Sequence, residues 1–405
     1  MLSWRPFFIY FSGMKDMKEK AGQCALNRIF GFEPRTAHAL MEHFGSAADV
    51  FVSGSKEVEA VLGPYSRYKG LVTEKTLEDA LHEIEELSRQ GIMFIGYGDP
   101  SYPSLLKECE DAPMGLYLRS TTPPEELFSY SRSIAVVGTR DISPYGREWC
   151  RRIVLEMGGS RQKPAIISGL ALGTDICAHV AAMEAGLPTI GVMATGPETV
   201  YPYRHRGIAE RMAHTPGCGL VTDYPPGTAP LPVHFLRRNR IIAGLCEALV
   251  LIESKIKGGG MMTSRLAFSY SRDVYALPGR ADDTRSQGCN LLIREKIAEA
   301  ITDAGSLMKS IGLDSQRGKA RIPDIEILDR TYGNTLSKDK IDAMARILDI
   351  IRKERGISVE DIALASGMEY GTVSGLASLL ESDGMISVDI LRRCSINIRK
   401  SKLFD

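Results

Sequence analysis

Ile134-Ala-Val-Val-Gly138-Thr139-Arg140, followed by a helical run beginning near Tyr145, is the stretch that decides the fold. An unbroken apolar run ends in a glycine, a hydroxyl and a cation, and a helix start follows. Backbone N–H groups, a helix dipole and a guanidinium are thereby gathered around one point, as a phosphate requires. The same strand–loop–helix rhythm then recurs. Apolar runs at 134–138, 165–168, 188–193, 219–222, 248–253 and 273–277 predict strands. Helical spacing near 145–157, 175–185, 203–214, 234–246 and 261–270 separates them. Continuous runs such as Ala248-Leu-Val-Leu-Ile252 suit parallel strands covered on both faces. Right-handed crossovers make this an α/β fold, an extended Rossmann-like doubly wound parallel sheet, with ligands at the carboxyl ends of its strands.

At 405 residues the chain exceeds one ordinary core, so more than one domain is expected. Lys+Arg and Asp+Glu both total 50, so a polyanionic partner has to be met by a local patch rather than by net charge. The eight cysteines contain no C-x-x-C pair, which predicts reduced thiols in a cytoplasmic protein and neither a zinc site nor a disulfide framework. No apolar stretch is long enough to span a bilayer, so no membrane partner is expected. The opening stretch Met1-Leu-Ser-Trp-Arg-Pro-Phe-Phe-Ile-Tyr-Phe11 makes a poor signal peptide, and Met14 or Met17 is the expected translation start.

Four segments are expected along the chain: an N-terminal extension and helical domain over 1–75, the Rossmann-like domain over 76–311, a polar linker over 312–339, and a helical tail over 340–405. Within the first, residues 29–45 carry a Gly/Pro hairpin and then an amphipathic run. That pattern is SAM-like, or a helix-hairpin-helix whose amides can touch DNA, with a plain packing domain as the other reading. In the tail, helix, Gly367 turn, helix, Gly384 and short apolar strands predict a winged helix. Its second helix, near Tyr370 to Leu380, has no Lys or Arg, which suits a protein partner better than a major groove.

The first loop lacks G-x-G-x-x-G, and no G-x-x-x-x-G-K-[ST] occurs, so no dinucleotide or other cofactor is expected. The second loop, Ser168-Gly169-Leu-Ala171-Leu-Gly173-Thr174-Asp175, packs small residues against a helix start. Asp175 is read as a cap and His179 as a packed side chain. Arg237-Arg238-Asn239-Arg240 crowds cations toward the N-terminal end of an apolar helix, against its dipole, so either a bound anion or an internal carboxylate network is needed. Lys255-Ile-Lys257-Gly258-Gly259-Gly260 is a further anion nest. By the strand-end rule Arg140, the arginine cluster, Lys257 and Arg280 share one rim, which suits the repeated phosphates of a strand.

Taken together these residues resemble the DNA-processing protein A family (DprA, also called Smf). The matching elements are Asp99-Pro-Ser-Tyr102-Pro103, Val136-Val-Gly138-Thr139-Arg140, Ser168-Gly-Leu-Ala171-Leu-Gly173-Thr-Asp175, Tyr201-Pro202, Tyr224-Pro-Pro226, Arg238-Asn239-Arg240 after Phe235, Glu253 and Leu277-Pro-Gly279. The resemblance implies a non-enzymatic, cofactor-free binder of single-stranded DNA. It further implies a homodimer formed through the Rossmann domain, which protects incoming strands and loads the RecA recombinase in natural transformation. It carries phosphate binding onto Gly138, Thr139, Arg140, Gly169, Arg238, Asn239, Arg240, Lys257, Gly258, Gly259 and Gly260, with no catalytic residue and no metal. Gly258-Gly-Gly260 stands where the family has Ser-Gly-Ser, which removes two hydroxyl donors and keeps the amides. The rival reading is a nucleotide phosphoribohydrolase-like enzyme using Asp175 and Glu253 for acid–base work. With about four phosphates neutralised per subunit, log affinity is expected to fall with log salt at a slope of about −3 in a titration with a single strand.

Overall fold

The structure, a computed structural model, describes residues 5–313 except 64 and 69, then 324–333, 335–353, 357–389 and 392–396. The chain divides into two compact units, Met1–Gln316 and Arg317–Asp405. Five helices open the first unit: α1 (Arg5–Phe30), α2 (Pro34–Phe44), α3 (Ala47–Val52), α4 (Ser55–Leu62) and α5 (Glu74–Arg89). An antiparallel pair follows, β1 (Ile92–Gly96) and β2 (Gly115–Arg119), flanked by the short α6 (Ser104–Lys107) and α7 (Pro124–Leu127).

From there strand and helix alternate. β3 (Ser133–Val137), α8 (Pro144–Gly158), β4 (Ala165–Ser168), α9 (Thr174–Glu184), β5 (Thr189–Val192), a 3-10 turn at Tyr203–His205, α10 (Arg206–His214) and β6 (Cys218–Thr222) form the first run. The second run is α11 (Pro232–Gly244), β7 (Ala248–Leu251), α12 (Gly259–Ser269), β8 (Asp273–Ala276), α13 (Gln287–Arg294), β9 (Glu299–Ala300) and α14 (Ala304–Ser310). The nine strands lie in the order β1-β2-β6-β5-β4-β3-β7-β8-β9, with every pair from β6 to β9 parallel. β1 and β2 add an antiparallel edge. The chain therefore leaves β3 toward one side of the sheet and leaves β7 toward the other. Between those neighbours the sheet opens a crevice at its carboxyl edge.

Alternation along β3 builds both layers. Ala135 and Val137 enter the core shared with Ile241 and Ile242 of α11 and Met261 of α12. Ile134 and Val136 enter the opposite core, with Ile153 and Val154 of α8, Ala178 of α9 and Leu307 of α14. The predicted strands and crossover helices are recovered to within two or three residues.

Two predicted boundaries are corrected. Residues 1–75 are not a separate domain, because Leu26 and Phe30 of α1 and Leu40 of α2 share one core with Phe94, Met114 and Tyr117 of the β1–β2 edge. Helical spacing identifies a buried face but not what covers it. Met1 lies outside the described residues, and Met14 and Met17 fall within α1. The polar stretch 312–339 is not all linker, because α15 (Asp324–Tyr332) lies in it. Leu328 and Tyr332, one turn apart, bury in the same core as Met344, Ile347 and Val373.

The second unit continues with α16 (Lys338–Lys353), β10 (Ile357–Ser358), α17 (Val359–Ser366), α18 (Tyr370–Ser382), β11 (Ile386–Val388) and β12 (Arg393–Ile396). Its strands pair in the antiparallel order β10-β12-β11. Gly367, at φ +69°, ends α17 in the left-handed conformation that its turn requires.

His179 on α9 is fully buried, and its Nδ1 lies 2.7 Å from the Thr189 hydroxyl, which itself donates to the Ile166 carbonyl. Burial, helped by repulsion from Arg238 and His205, lowers its pKa to about 3. The folded chain therefore keeps this imidazole neutral while the unfolded chain takes up a proton below about pH 6.5, so stability is full above that pH and is lost progressively as pH falls toward 3. Denaturant unfolding at pH 7 and pH 5 is expected to show a loss on the order of 2 kcal/mol from this group, absent in His179→Asn.

Candidate functional site

The crevice between β3 and β7 is walled by the loop after β3, residues 138–143, and the loop after β7, residues 252–258. The first is stitched to its neighbour: the Thr139 carbonyl accepts from the Thr174 amide (3.1 Å) and the Thr174 hydroxyl (3.2 Å). Gly173 makes this possible at φ +77°, since a Cβ there would strike the Thr139 carbonyl.

The helix start that the sequence offers to a phosphate is already filled. Ser143 caps α8 by accepting from the Gly146 amide (3.0 Å), and its hydroxyl donates to Glu253 Oε1 (2.5 Å). The Ser143 amide donates to Glu253 Oε2 (2.9 Å). Glu253 is 1% exposed, and a Cβ on Gly146 would lie 2.5 Å from its carboxyl carbon. The chain's own carboxylate is thus the anion at the α8 N-terminus.

The open helix start belongs to α12. Gly258 is its N-cap and no side chain caps the helix there, while the Met261 amide donates to the Gly258 carbonyl at 3.2 Å. Gly260 presses on the β3 loop: a Cβ would lie 2.7 Å from Leu251 Cδ1 and 3.3 Å from the Gly138 Cα. Around Gly259 the space is open, and Lys255 and Lys257 are exposed beside it. Gly138, Gly258, Gly259, Gly260 and Lys257 therefore stand together. Arg140 and Thr139 stand on the same loop as Gly138. Arg140 is exposed, with its guanidinium 5.3 Å from the Phe235 ring centroid.

The arginine cluster of α11 does not join them. Arg238 is 3% exposed and donates to the carbonyls of Gly169 (2.6 Å) and Val192. Burial lowers its pKa to about 10, with Asp175 opposing that shift and Arg140 adding to it. Gly169 lies directly over it: a Cβ there would meet the guanidinium at 2.5 Å. Asn239 is buried as well, its Oδ1 accepting from Arg238 Nε at 3.4 Å. Arg240 pairs with Asp223 at 2.5 Å and donates to the Asp111 carbonyl at 2.6 Å, both members of the pair being nearly inaccessible. Arg237 donates to the Gly31 carbonyl and lies 4.0 Å over the Phe32 ring, holding the N-terminal hairpin against α11.

Gly169, Arg238, Asn239 and Arg240 are thus corrected from surface phosphate contacts to an internal framework. Of the two readings of the cluster the internal one holds, with a carboxylate for Arg240 and backbone carbonyls for Arg237 and Arg238. The dipole conflict is also slight, because α11 begins at Pro232 and the arginines fall past its first turn. Arg280 is exposed but engaged with Asp282 at 2.9 Å. Asp175 accepts from the Ala171 amide at 3.4 Å and faces Arg238. Asp175 and Glu253 therefore both brace loops, and neither stands open to a substrate. Phe235 and Tyr201, whose rings meet edge to face at 5.5 Å, are rim residues that no charge or spacing signal marked. Among the described residues no cluster of His, Cys, Asp or Glu is arranged to hold a metal, and no helix is long and apolar enough to cross a membrane.

The model of the family described as DNA recombination-mediator protein A matches residues 93–312. Protein Smf of Synechocystis is 29% identical over 395 residues, which span 91% of this chain and 96% of that protein. DNA processing protein DprA of Streptococcus pneumoniae is 33% identical over 241 residues, 58% of this chain and 82% of that one. The X-ray structure of the Streptococcus pneumoniae protein superposes with a TM-score of 0.58 at 28% identity, covering 70% of this chain and 95% of that one.

Removing one member of a buried ion pair strands the other. Arg240→Met is expected to cost about 3–5 kcal/mol in denaturant unfolding. Arg140→Met, at the exposed rim, is expected to leave the unfolding midpoint unchanged.

Proposed function

The chain belongs to the DNA recombination-mediator protein A family, and from that premise we propose that it binds single-stranded DNA along the β3–β7 crevice. One observation carries the proposal: the uncapped N-terminus of α12 lies against Gly138, with Arg140, Lys255 and Lys257 exposed around it. Backbone amides and long cations grip phosphates and sugars without reading bases, which suits a partner of arbitrary sequence. In this reading the protein has no catalytic activity. It shields incoming strands and passes them to the RecA recombinase during natural transformation in the cytoplasm, working as a homodimer through its Rossmann-like domain.

We read the second unit, from its helix order and small antiparallel sheet, as a winged helix. We assign it a protein partner, since α18 carries no Lys or Arg. The N-terminal helices are read as a SAM-like module seated on the sheet edge. A nucleotide-cleaving enzyme is the weaker reading, because Glu253 and Asp175 are both committed to backbone amides.

With the α11 arginines inside, the exposed cations fall to three, and the single-strand salt slope is expected near about −2 rather than about −3. An electrophoretic shift series across salt, with single- and double-stranded oligomers, measures it. Single strands are expected to bind more tightly than duplex. Arg140→Ala is expected to weaken binding and flatten the slope by about 0.7. Unchanged affinity and slope in that variant would overturn the role of the rim.

A further inference from the structure

The rim carries more apolar surface than phosphate contacts use. Tyr201 is 49% exposed and Tyr203 74% exposed, on the segment that joins β5 to α10. Tyr201 meets Phe235 edge to face at 5.5 Å, and the Arg140 guanidinium lies 5.3 Å from the same Phe235 ring. One half-buried ring therefore contacts both a cation and an exposed phenol. Arg206 lies 5.9 Å from the Tyr203 ring. Arg204 and Arg206 are exposed and, among the described residues, neither pairs with a carboxylate.

This segment is also held in place. His205 Nδ1 lies 2.7 Å from the Leu170 carbonyl, which ties it to the loop after β4. The Thr195 hydroxyl donates to the Thr199 carbonyl at 2.5 Å, and the Gly196 amide to the Thr228 carbonyl at 3.1 Å. An aromatic held rigidly at the surface loses little freedom when a flat partner covers it.

We infer that Tyr201, propped on Phe235, is a stacking platform for a base of the bound strand, beside the phosphate gripped by Arg140. Tyr203, with Arg206 beside its ring, stands two residues further along the same segment. This rests on the single-stranded DNA reading of the crevice and adds to it a contact to bases that is indifferent to their identity, since every base has a π face. Phe235 acts as a positioning residue for both neighbours.

The test compares oligothymidylate with an oligomer of the same length and charge carrying consecutive abasic sites, at one fixed salt concentration. The wild-type protein is expected to bind the abasic oligomer about 10-fold more weakly. Tyr201→Ala is expected to lose about 10-fold on oligothymidylate, to stop distinguishing the two oligomers, and to keep the wild-type salt slope because no charge is removed. Tyr201→Phe, which keeps the ring, is expected to restore the discrimination. Equal wild-type affinity for both oligomers, with the salt slope intact, would overturn the platform and leave the phosphate rim standing. Undiminished discrimination in Tyr201→Ala would overturn it too. Failure of the wild type to bind either oligomer would sink the DNA reading and this inference together.

Discussion

Two parallel neighbours, β3 and β7, whose chains depart in opposite directions, impose the crevice on which every functional statement depends. The register of Ile134 to Val137 against Ala248 to Leu251 fixes where their loops emerge. Close contact between Gly138 and Gly260 then fixes how near those loops stand. Neither loop is a site alone. One supplies Arg140 and the other supplies an open helix start with two lysines, and only the shared sheet edge brings them within reach of one polyanion.

Behind that edge lies a layer of internal charge that keeps the exposed layer in shape. Glu253 closes the start of α8, Asp175 holds the loop after β4, Arg238 braces the same loop from below, and Arg240 is neutralised by Asp223. Buried ions are costly unless paired or fully hydrogen-bonded, so each of these groups ties a loop to a defined position. The balanced sequence charge, with 50 residues of each sign, conceals this division. Part of the positive charge is structural, and only a few cations face solvent at the rim.

The fold was largely legible because its signals are repetitive. Continuous apolar strands such as 248–252, a glycine at the end of β3, and helical spacing between strands all point to one architecture. The nearness of Gly138 to the glycines that open α12 was legible for the same reason. The arginines of α11 were not. A helix shows which residues share a face but not whether carbonyls or solvent lie opposite, and the carbonyls of Gly169 and Val192 come from segments 69 and 46 positions away. Tyr201 and Phe235 entered the sequence reading only as parts of family-like motifs, because exposure of an aromatic leaves no trace in spacing. The helix within the expected linker was hidden by the polar residues on either side of it.

The triple glycine opening α12 has a consequence for how recognition is encoded. Its donors are main-chain amides, which no ordinary side-chain replacement removes, although proline would. Affinity at this point is written into the path of the polypeptide rather than into residue identity. Under the proposed reading, drift in the surrounding side chains would retune the strength and salt sensitivity of the grip while the main-chain donors themselves persist.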